Sequence, residues 1–416
     1  MMASPRLDDA RTALRGALVR AGGQWRWWLP AAAAYLASNV IAWIAARHTG
    51  HDYGDPGAHE RWDSGLYMAV GRDGYELFPC APGQWLDDGN FYWCGNSGWF
   101  PLYPALMRIV HTVTGLDYPL VGWLVSEAAT IAVIAALAVA LARAPGATPS
   151  RAAAVVALAA VVPAGVYFHT VFPMALAAAL MTLAAVMLQG RRWLGAGVSA
   201  GLAAMAYPVA VVIAVAAVAA VGTLLWRREQ TPRQAFTALL AAGLPAAAGL
   251  GLVFAIMKAT VGRWDAYFLI QAKYAPGMGK DVEHNPLINF DEILSSMPPV
   301  RVQASETMLS RLEWAVHTEL LAALGFVLLV LIAAGLAWSR RQATHLDVGL
   351  AVFAVAAYIT PLMAGAHISQ YRSHTLLVPA LLVLRHLPAW VLGLLAGLTL
   401  PLAYAIGTLF YPALLM

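Results

Sequence analysis

The sequence has few charged residues and no pattern typical of strands. Charged residues make up 12% of the 416 residues, hydrophobic residues make up 60%, and the mean hydropathy is +0.65. Soluble domains carry about 25% charged residues. Regular alternation of apolar and polar residues is absent, and only helices and closed barrels satisfy the backbone in lipid. The sequence therefore excludes a set of soluble domains and predicts an all-α polytopic membrane protein.

The apolar runs predict about eleven transmembrane helices, because the bilayer core requires about 20 apolar residues per helix. Residues 1–28 are predicted to be a cytoplasmic amphipathic tail, and residues 29–416 a single transmembrane domain with outer loops at about 47–118 and 261–318. A cleavable signal peptide is the alternative at the N-terminus, but the first apolar run is long and the basic tail is extended. The predicted spans are 29–46, 119–142, 152–168, 171–189, 193–208, 209–226, 235–260, 319–338, 347–364, 372–386 and 388–411.

The distribution of charge predicts the orientation. With a cytoplasmic N-terminus, the inner segments hold fifteen of the 26 basic residues and only four acids. Cytoplasmic loops are enriched in Lys and Arg, so the formal net charge of +4 reflects topology and does not indicate a nucleic-acid partner. The expected location is an inner, plasma-type bacterial membrane with both long loops outside. The inner basic residues are Arg6, Arg11, Arg15, Arg20, Arg26, Arg143, Arg151, Arg191, Arg192, Arg227, Arg228, Arg233, Arg340, Arg341 and Arg385.

Cysteine is nearly absent. Cys80 and Cys94 are the only two, and both fall in the first outer loop. Disulfides persist on the oxidising side of a membrane, so a bridge is predicted, with two free buried thiols as the alternative. Two cysteines cannot complete a tetrahedral zinc site.

No spacing of His, Asp and Glu predicts a strong metal site, and no cofactor is required by the sequence. A divalent cation could be bound by one of two acid pairs in the first loop, although such loop acids are usually solvated. The pairs are Asp52 with Asp55, and Asp87 with Asp88.

The polar run His59–Tyr67 follows the first predicted span, and Asp63 is its central acid. Sugar transfer to a hydroxyl needs a base within hydrogen-bond reach of the acceptor. Aromatic side chains suit sugar faces and exclude water. Asp63 is therefore the candidate general base, and the alternative is that it caps a short helix or pairs with Arg61. The proposed pocket residues in and beyond this run are Arg61, Trp62, Tyr67, Phe100 and Tyr103.

The runs Arg61-Trp62-Asp63, Gly74-Tyr75 and Phe100–Pro104 together resemble the first outer loop of PIG-V-like mannosyltransferases. These are membrane glycosyltransferases of the GT-C class. The resemblance implies a GT-C-like bundle in which the first-loop acid is the general base. It also implies an inverting transfer of mannose, or another hexose, from a polyprenyl phosphate to an acceptor hydroxyl at the outer membrane face.

The resemblance continues weakly along the chain. Pro163-Ala164 with Phe168, the segment 262–271, and Ser369-Gln370-Tyr371-Arg372 through Pro379 are similar to later family motifs. Two positions depart from the family pattern. Val171–Met174 stands where the family commonly has Tyr-x-Glu-Ser, and Tyr207-Pro208 where it commonly has Arg-Pro.

Arg372 is the candidate ligand for the donor phosphate. It begins a late span, with Tyr371, His367 and His374 close by, and a planar guanidinium matches phosphate oxygens in a bidentate way. The alternative is an arginine that extends to the interface. His374 is a further candidate pocket residue. Lys273 and Arg263 are weaker phosphate candidates that could equally be solvated.

Glu127 lies within an apolar span, where a carboxylate is costly and indicates function by default. The alternative is a neutral side chain bonded to Ser126 or Thr130. His169 is interpreted as an interfacial histidine, and a role in a functional site is the less favoured alternative.

Two other functions fit parts of the sequence. A lipid or solute transporter would account for the many spans and for Glu127, but no inverted repeat of broken helices is evident. A non-catalytic membrane subunit with a decayed site would account for the two departures. The expected partners are a polyprenyl-phosphate sugar, an unidentified hydroxyl acceptor and membrane lipids.

Overall fold

The structure is a computed structural model that describes residues 5–81, 91–272, 306–363 and 370–414. Almost all of the described secondary structure is helical. The α-helices, numbered here in chain order, are α1 Pro5–His48, α2 Ser64–Asp73, α3 Leu102–Thr114, α4 Tyr118–Arg143, α5 Pro149–Ala160, α6 Met174–Gln189, α7 Trp193–Ala206, α8 Ile213–Trp226, α9 Pro232–Val261, α10 Ala266–Ala272, α11 Glu306–Ser339, α12 His345–Met363, α13 Gln370–His374 and α14 Ala389–Phe410.

Within the described ranges, six segments are long and apolar enough to cross a membrane. They lie on α1, α4, α8, α9, α11 and α14, and four shorter apolar helices, α5, α6, α7 and α12, accompany them. The predicted class of an all-α membrane protein is confirmed. Eleven spans remain a prediction, and so does the orientation of the chain.

The segment predicted as the span 372–386 has a different form. It begins with the short helix α13 and continues as a 3-10 helix, Thr375–His386. Every side chain from Thr375 to Arg385 is buried, and the segment packs against α5, α6, α11 and α12. Pro379 lies inside it and has no backbone N–H to donate. This segment forms the centre of the bundle, and Arg372 stands at its beginning.

Helices α7 and α9 approach each other through glycine. A β-carbon on Gly249 would overlap the carbonyl group of Gly201, and one on Gly201 would overlap the carbonyl oxygen of Pro245. Small residues at such a crossing allow close contact between helix backbones in a membrane. The alanine-rich composition of these spans therefore serves packing.

The predicted first outer loop is folded over its described parts, 47–81 and 91–118. A 3-10 turn, Pro56–His59, precedes α2, and the antiparallel strands β1 Leu77–Pro79 and β2 Trp93–Gly95 pair Phe78 with Cys94. Cys80 and Cys94 form a disulfide with a Cα–Cα distance of 5.0 Å, so the predicted bridge is confirmed.

Hydrogen bonds connect the two halves of this loop. The Asn96 side chain accepts from the backbone N–H of Glu76 at 2.7 Å and donates to the carbonyl of Gly74 at 2.9 Å. The hydroxyl of Tyr75 donates to the carbonyl of Trp99 at 2.7 Å. These hydrogen bonds therefore fix the chain directly after α2 to the segment that follows β2. Of the second predicted loop, the described part comprises α10 and the beginning of α11.

Candidate functional site

The position of Asp63 is fixed by its neighbours in the loop. Asp63 directly precedes α2, and its carbonyl accepts the first helical hydrogen bonds, from Leu66 and Tyr67. Its side chain makes no capping hydrogen bond. The Ser64 hydroxyl donates to the carbonyl of Arg61 at 2.7 Å and accepts from the N–H of that residue at 3.1 Å. The turn is therefore closed by backbone and serine contacts, and the carboxylate of Asp63 is left to point elsewhere.

Arg61 ties this loop to the end of the bundle. Its guanidinium donates to the carbonyls of Tyr411 at 2.6 Å, Gly57 at 2.9 Å and Glu60 at 2.6 Å. These described partners are all backbone oxygens, so the alternative that Arg61 pairs with Asp63 is wrong.

The carboxylate of Asp63 contacts Arg372. The Nη1 of Arg372 donates to the Oδ2 of Asp63 at 2.6 Å, across 309 positions of sequence. The side chains are 30% exposed for Asp63 and 11% exposed for Arg372. A sugar and its phosphate between the two side chains would require a separation of roughly 5–12 Å, whereas the structure brings the two candidate residues into direct contact. Opposite charges attract strongly where water is largely excluded, which accounts for the contact.

Aromatic rings surround the guanidinium. The Arg372 side chain lies over the rings of Phe172 and Tyr167, at 5.4 and 5.9 Å from their centroids. The hydroxyls of Tyr167 and Tyr371 are 3.4 Å apart. Such faces stabilise a cation in a poorly hydrated place.

The two segments that depart from the PIG-V-like pattern both contact α13, the short helix that carries Arg372. Phe172 belongs to the first, and its ring lies against Arg372. Tyr207 belongs to the second, and its hydroxyl is 3.5 Å from the Oγ of Ser373. The sequence shows that these segments differ from the PIG-V-like pattern, but it does not show that they lie next to Arg372.

The predicted pocket residues are divided between the site and the packing around it. Tyr67 is buried, and its ring contacts those of Tyr103 and Phe172. Burial raises the pKa of Tyr67, and the negative charge of Asp63 adds to the rise. Trp62 is 37% exposed and has a positive φ of 51°. Tyr67 thus packs beside Phe172, whose ring lies against Arg372.

Phe100 and Tyr103 are packed inside the protein. Phe100 is buried against Tyr267 and a small apolar cluster that includes Val253 and Met257. Tyr103 is fully buried, and its hydroxyl donates to the carbonyl of Gly122 at 2.8 Å. Their role as walls of a substrate pocket stays a prediction.

His374, two residues after Arg372, belongs to a second buried pair. Its Nδ1 is 3.0 Å from each carboxylate oxygen of Glu319 on α11, and both side chains are 3% exposed. The imidazole stacks on Tyr358 of α12, with the centroids 5.2 Å apart. Glu319 was not a candidate from sequence, because it stands at the edge of an apolar run that gives no sign of its partner.

Glu127 has other partners than those considered from sequence. Its carboxylate accepts from the Tyr35 hydroxyl at 2.8 Å and the Trp123 indole at 3.1 Å, and lies 2.9 Å from the Nδ1 of His169. Ser126 and Thr130, the expected partners, bond elsewhere. Glu127 and His169 therefore form a connection between α1, α4 and the segment before α6.

The remaining charged candidates lie apart from the pair or outside the described residues. Arg263 pairs with Asp265 at 2.7 Å on an exposed surface. Asp52 and Asp55 each accept a backbone N–H two residues on, at 3.0 Å. Lys273, Asp87, Asp88 and His367 lie outside the described residues. In the described part of the chain, no group of three or more His, Cys, Asp or Glu side chains could hold a metal.

Comparison with known proteins identifies the fold. No protein-family model matches the sequence, and no curated protein matches it. The crystal structure of the Archaeoglobus fulgidus oligosaccharyltransferase in the apo form is similar, with 13% identity and a TM-score of 0.50 over 91% of this chain and 56% of that chain. The same enzyme in complex with Zn and sulfate gives 13% identity and a TM-score of 0.48, over 90% and 53%. The chain therefore spans about half the length of the structures it matches. It therefore shares the fold of the corresponding part of that oligosaccharyltransferase.

Proposed function

We propose that this chain is an integral-membrane glycosyltransferase of the GT-C type, with its site at the outer membrane face. It transfers a hexose from a polyprenyl-phosphate donor to an acceptor hydroxyl, and inverts the anomeric centre. Mannose is the sugar that the PIG-V-like motifs of the first loop favour. The likeness of fold to an oligosaccharyltransferase supports the class, and the motifs support the finer assignment.

The observation that carries the proposal is the pair formed by Asp63 and Arg372. An ion pair with little solvent exposure is a weak source of stability, because desolvation offsets most of the attraction. Ionisable residues in membrane segments are costly and are usually functional. This pair joins a candidate base from the first loop to a candidate phosphate ligand at the beginning of the central segment.

In the proposed transfer, Asp63 and Arg372 have separate roles. Asp63 accepts the proton of the acceptor hydroxyl as the acceptor oxygen bonds to the anomeric carbon. The bond between that carbon and the phosphate oxygen breaks, and the phosphate leaves as a monoester whose charge Arg372 stabilises. Inversion requires attack opposite the leaving group, so the sugar lies between the two side chains. The 2.6 Å contact must therefore open when the donor binds.

A transfer assay tests the proposal. Purified protein in liposomes is supplied with a panel of polyprenyl-phosphate sugars and hydroxyl acceptors, and Asp63→Asn is compared with wild type. Loss of a general base lowers the rate about 10²- to 10⁴-fold. Asp73→Asn is the matched control, because Asp73 is an exposed acid at the other end of the same helix.

The assay also separates the rival functions. Activity of Asp63→Asn within a few-fold of wild type would remove Asp63 from catalysis. A wild-type protein that transfers none of the sugars, but moves labelled lipid across the bilayer, would establish the transporter instead.

A further inference from the structure

Two buried polar atoms near Arg372 have no part in the transfer chemistry assigned to Asp63. They are the Nε2 of His374 and the hydroxyl oxygen of Tyr358, and neither has a hydrogen-bond partner among the described residues. Both residues are at least nine-tenths buried. Buried polar groups are nearly always paired, so an unpaired one calls for a specific explanation. The two atoms belong to a single pair of stacked rings, so one polar partner is a candidate explanation for both.

The ring of His374 is fixed in one orientation. Its Nδ1 faces both oxygens of Glu319 at 3.0 Å. An ionised carboxylate only accepts hydrogen bonds, so Nδ1 carries the proton that faces Glu319 and Nε2 points away from it. The rings of His374 and Tyr358 are nearly parallel, at 13°, with the centroids 5.2 Å apart. Glu319 therefore acts as a positioning residue for the imidazole.

The chemistry of these two atoms matches a hydroxyl group. A hydroxyl donates one hydrogen bond and accepts others. The Tyr358 hydroxyl can donate to its oxygen, and Nε2 can accept its proton from a neutral ring or donate to its oxygen from a protonated one. A hydroxyl is therefore a group that both atoms can bind.

The position of the two atoms links them to the candidate site. Arg372 and His374 lie on the same five-residue helix, α13. Tyr371 directly precedes Arg372, and its hydroxyl is 3.4 Å from that of Tyr167, whose ring lies beside the Arg372 guanidinium. Tyr358 is 13 residues along α12 from His345, about 20 Å from the inner end of that helix at 1.5 Å per residue. Tyr358 therefore lies towards the predicted outer end of α12, and His374 lies two residues from Arg372 on α13.

We propose that His374 and Tyr358 form a hydroxyl-binding subsite for a carbohydrate substrate, oriented by Glu319. This inference rests on the proposed function. A site that hydrogen-bonds a substrate hydroxyl strongly rejects an analogue that lacks it, because its own buried groups are then left unpaired. The subsite would therefore determine which sugar the protein accepts.

The variant Tyr358→Phe tests this subsite, because it removes only a hydroxyl that has no described partner. Thermal stability should be unchanged or slightly higher, since an unpaired buried polar group is lost. Tyr404→Phe on α14 is the matched control, a half-buried tyrosine that packs on His48. The probes are farnesyl phosphoryl mannose and its monodeoxy analogues, and the readouts are dissociation constants in nanodiscs and KM in the transfer assay.

We expect Tyr358→Phe to weaken binding of farnesyl phosphoryl mannose about threefold to tenfold, the effect of one neutral hydrogen bond. For one monodeoxy analogue, wild type and variant should bind equally, which would identify the hydroxyl on the donor sugar. A raised KM for the acceptor alone would instead identify the hydroxyl on the acceptor.

Equal dissociation constants and equal KM values for wild type and Tyr358→Phe would overturn the subsite, and water would then be the partner of both atoms. Binding and transfer are separate readouts. A wild-type protein that binds the probe through Tyr358 without transferring its sugar would contradict the proposed transferase while leaving the subsite in place.

Discussion

A double-mutant cycle, in which Asp63 and Arg372 are replaced singly and together, measures the coupling free energy between the two side chains. The cycle consists of Asp63→Asn, Arg372→Met and the double variant, each compared with wild type. Each single change leaves one charge without its oppositely charged partner, and the double change removes both charges. The double variant should therefore be more stable than the sum of the two single effects indicates.

The magnitude follows from the geometry. The contacting atoms are 2.6 Å apart, which places the charge centres about 4 Å apart and gives about 4 kcal/mol at an effective dielectric constant of 20. The 30% exposure of the Asp63 side chain admits solvent that screens this attraction. About 2 kcal/mol remains, in the range of hydrogen bonds to charged groups.

The free energy of unfolding is measured by titrating the purified protein with SDS in mild detergent micelles. Arg72 and Asp73 provide the control cycle, because they contact at 2.9 Å but are 63% and 49% exposed. Exposed pairs contribute about 0–1 kcal/mol. A coupling free energy for Asp63 and Arg372 no larger than that of the control would refute the description of this contact as a poorly solvated ion pair.

Three further changes test the fold and the site. Cys80→Ser should lower the free energy of unfolding by about 3 kcal/mol, since the bridge closes a loop of about 15 residues, and a reducing agent should have no further effect on the variant. Gly249→Ala should destabilise by about 1–3 kcal/mol through overpacking, whereas Gly251→Ala, with open space around it, should be neutral or stabilising; equal effects would refute the close crossing of α7 and α9. Arg372→Lys should recover only part of the transfer activity lost in Arg372→Ala, because a point charge lacks the planar fork; full recovery would contradict bidentate phosphate binding.

The class of fold could be predicted from composition alone, and most helices could be predicted from the apolar runs. The predicted span 235–260 corresponds to α9, Pro232–Val261, and 388–411 to α14, Ala389–Phe410. The segment 372–386 could not be predicted in its actual form. Hydropathy does not distinguish a span that faces lipid from one buried on all sides, and the 3-10 geometry of Thr375–His386 depends on the helices packed around it.

The candidate site was predicted in part. Motif and chemistry pointed to Asp63 and Arg372, and the two are in contact. Phe100 and Tyr103 pack in the interior, because an aromatic residue in a loop motif can equally be a packing residue, and their role in a pocket stays a prediction. Glu319 and Tyr358 were not predicted as site residues. Each is of interest only because it contacts His374, and a single sequence does not show contacts between distant positions.

The direct contact between Asp63 and Arg372 leads to one prediction that runs against the usual effect of removing a catalytic group. In wild type, the Asp63 carboxylate is paired with the Arg372 guanidinium and repels an incoming phosphate. In Asp63→Asn the competing charge is gone, so farnesyl phosphate should bind more tightly, by about tenfold if 1.4 of the roughly 2 kcal/mol of coupling is recovered. Titration of wild type, Asp63→Asn and the Asp73→Asn control in nanodiscs measures this. Weaker binding by Asp63→Asn would mean that the phosphate does not compete for Arg372, and the opening of the pair on donor binding would be wrong.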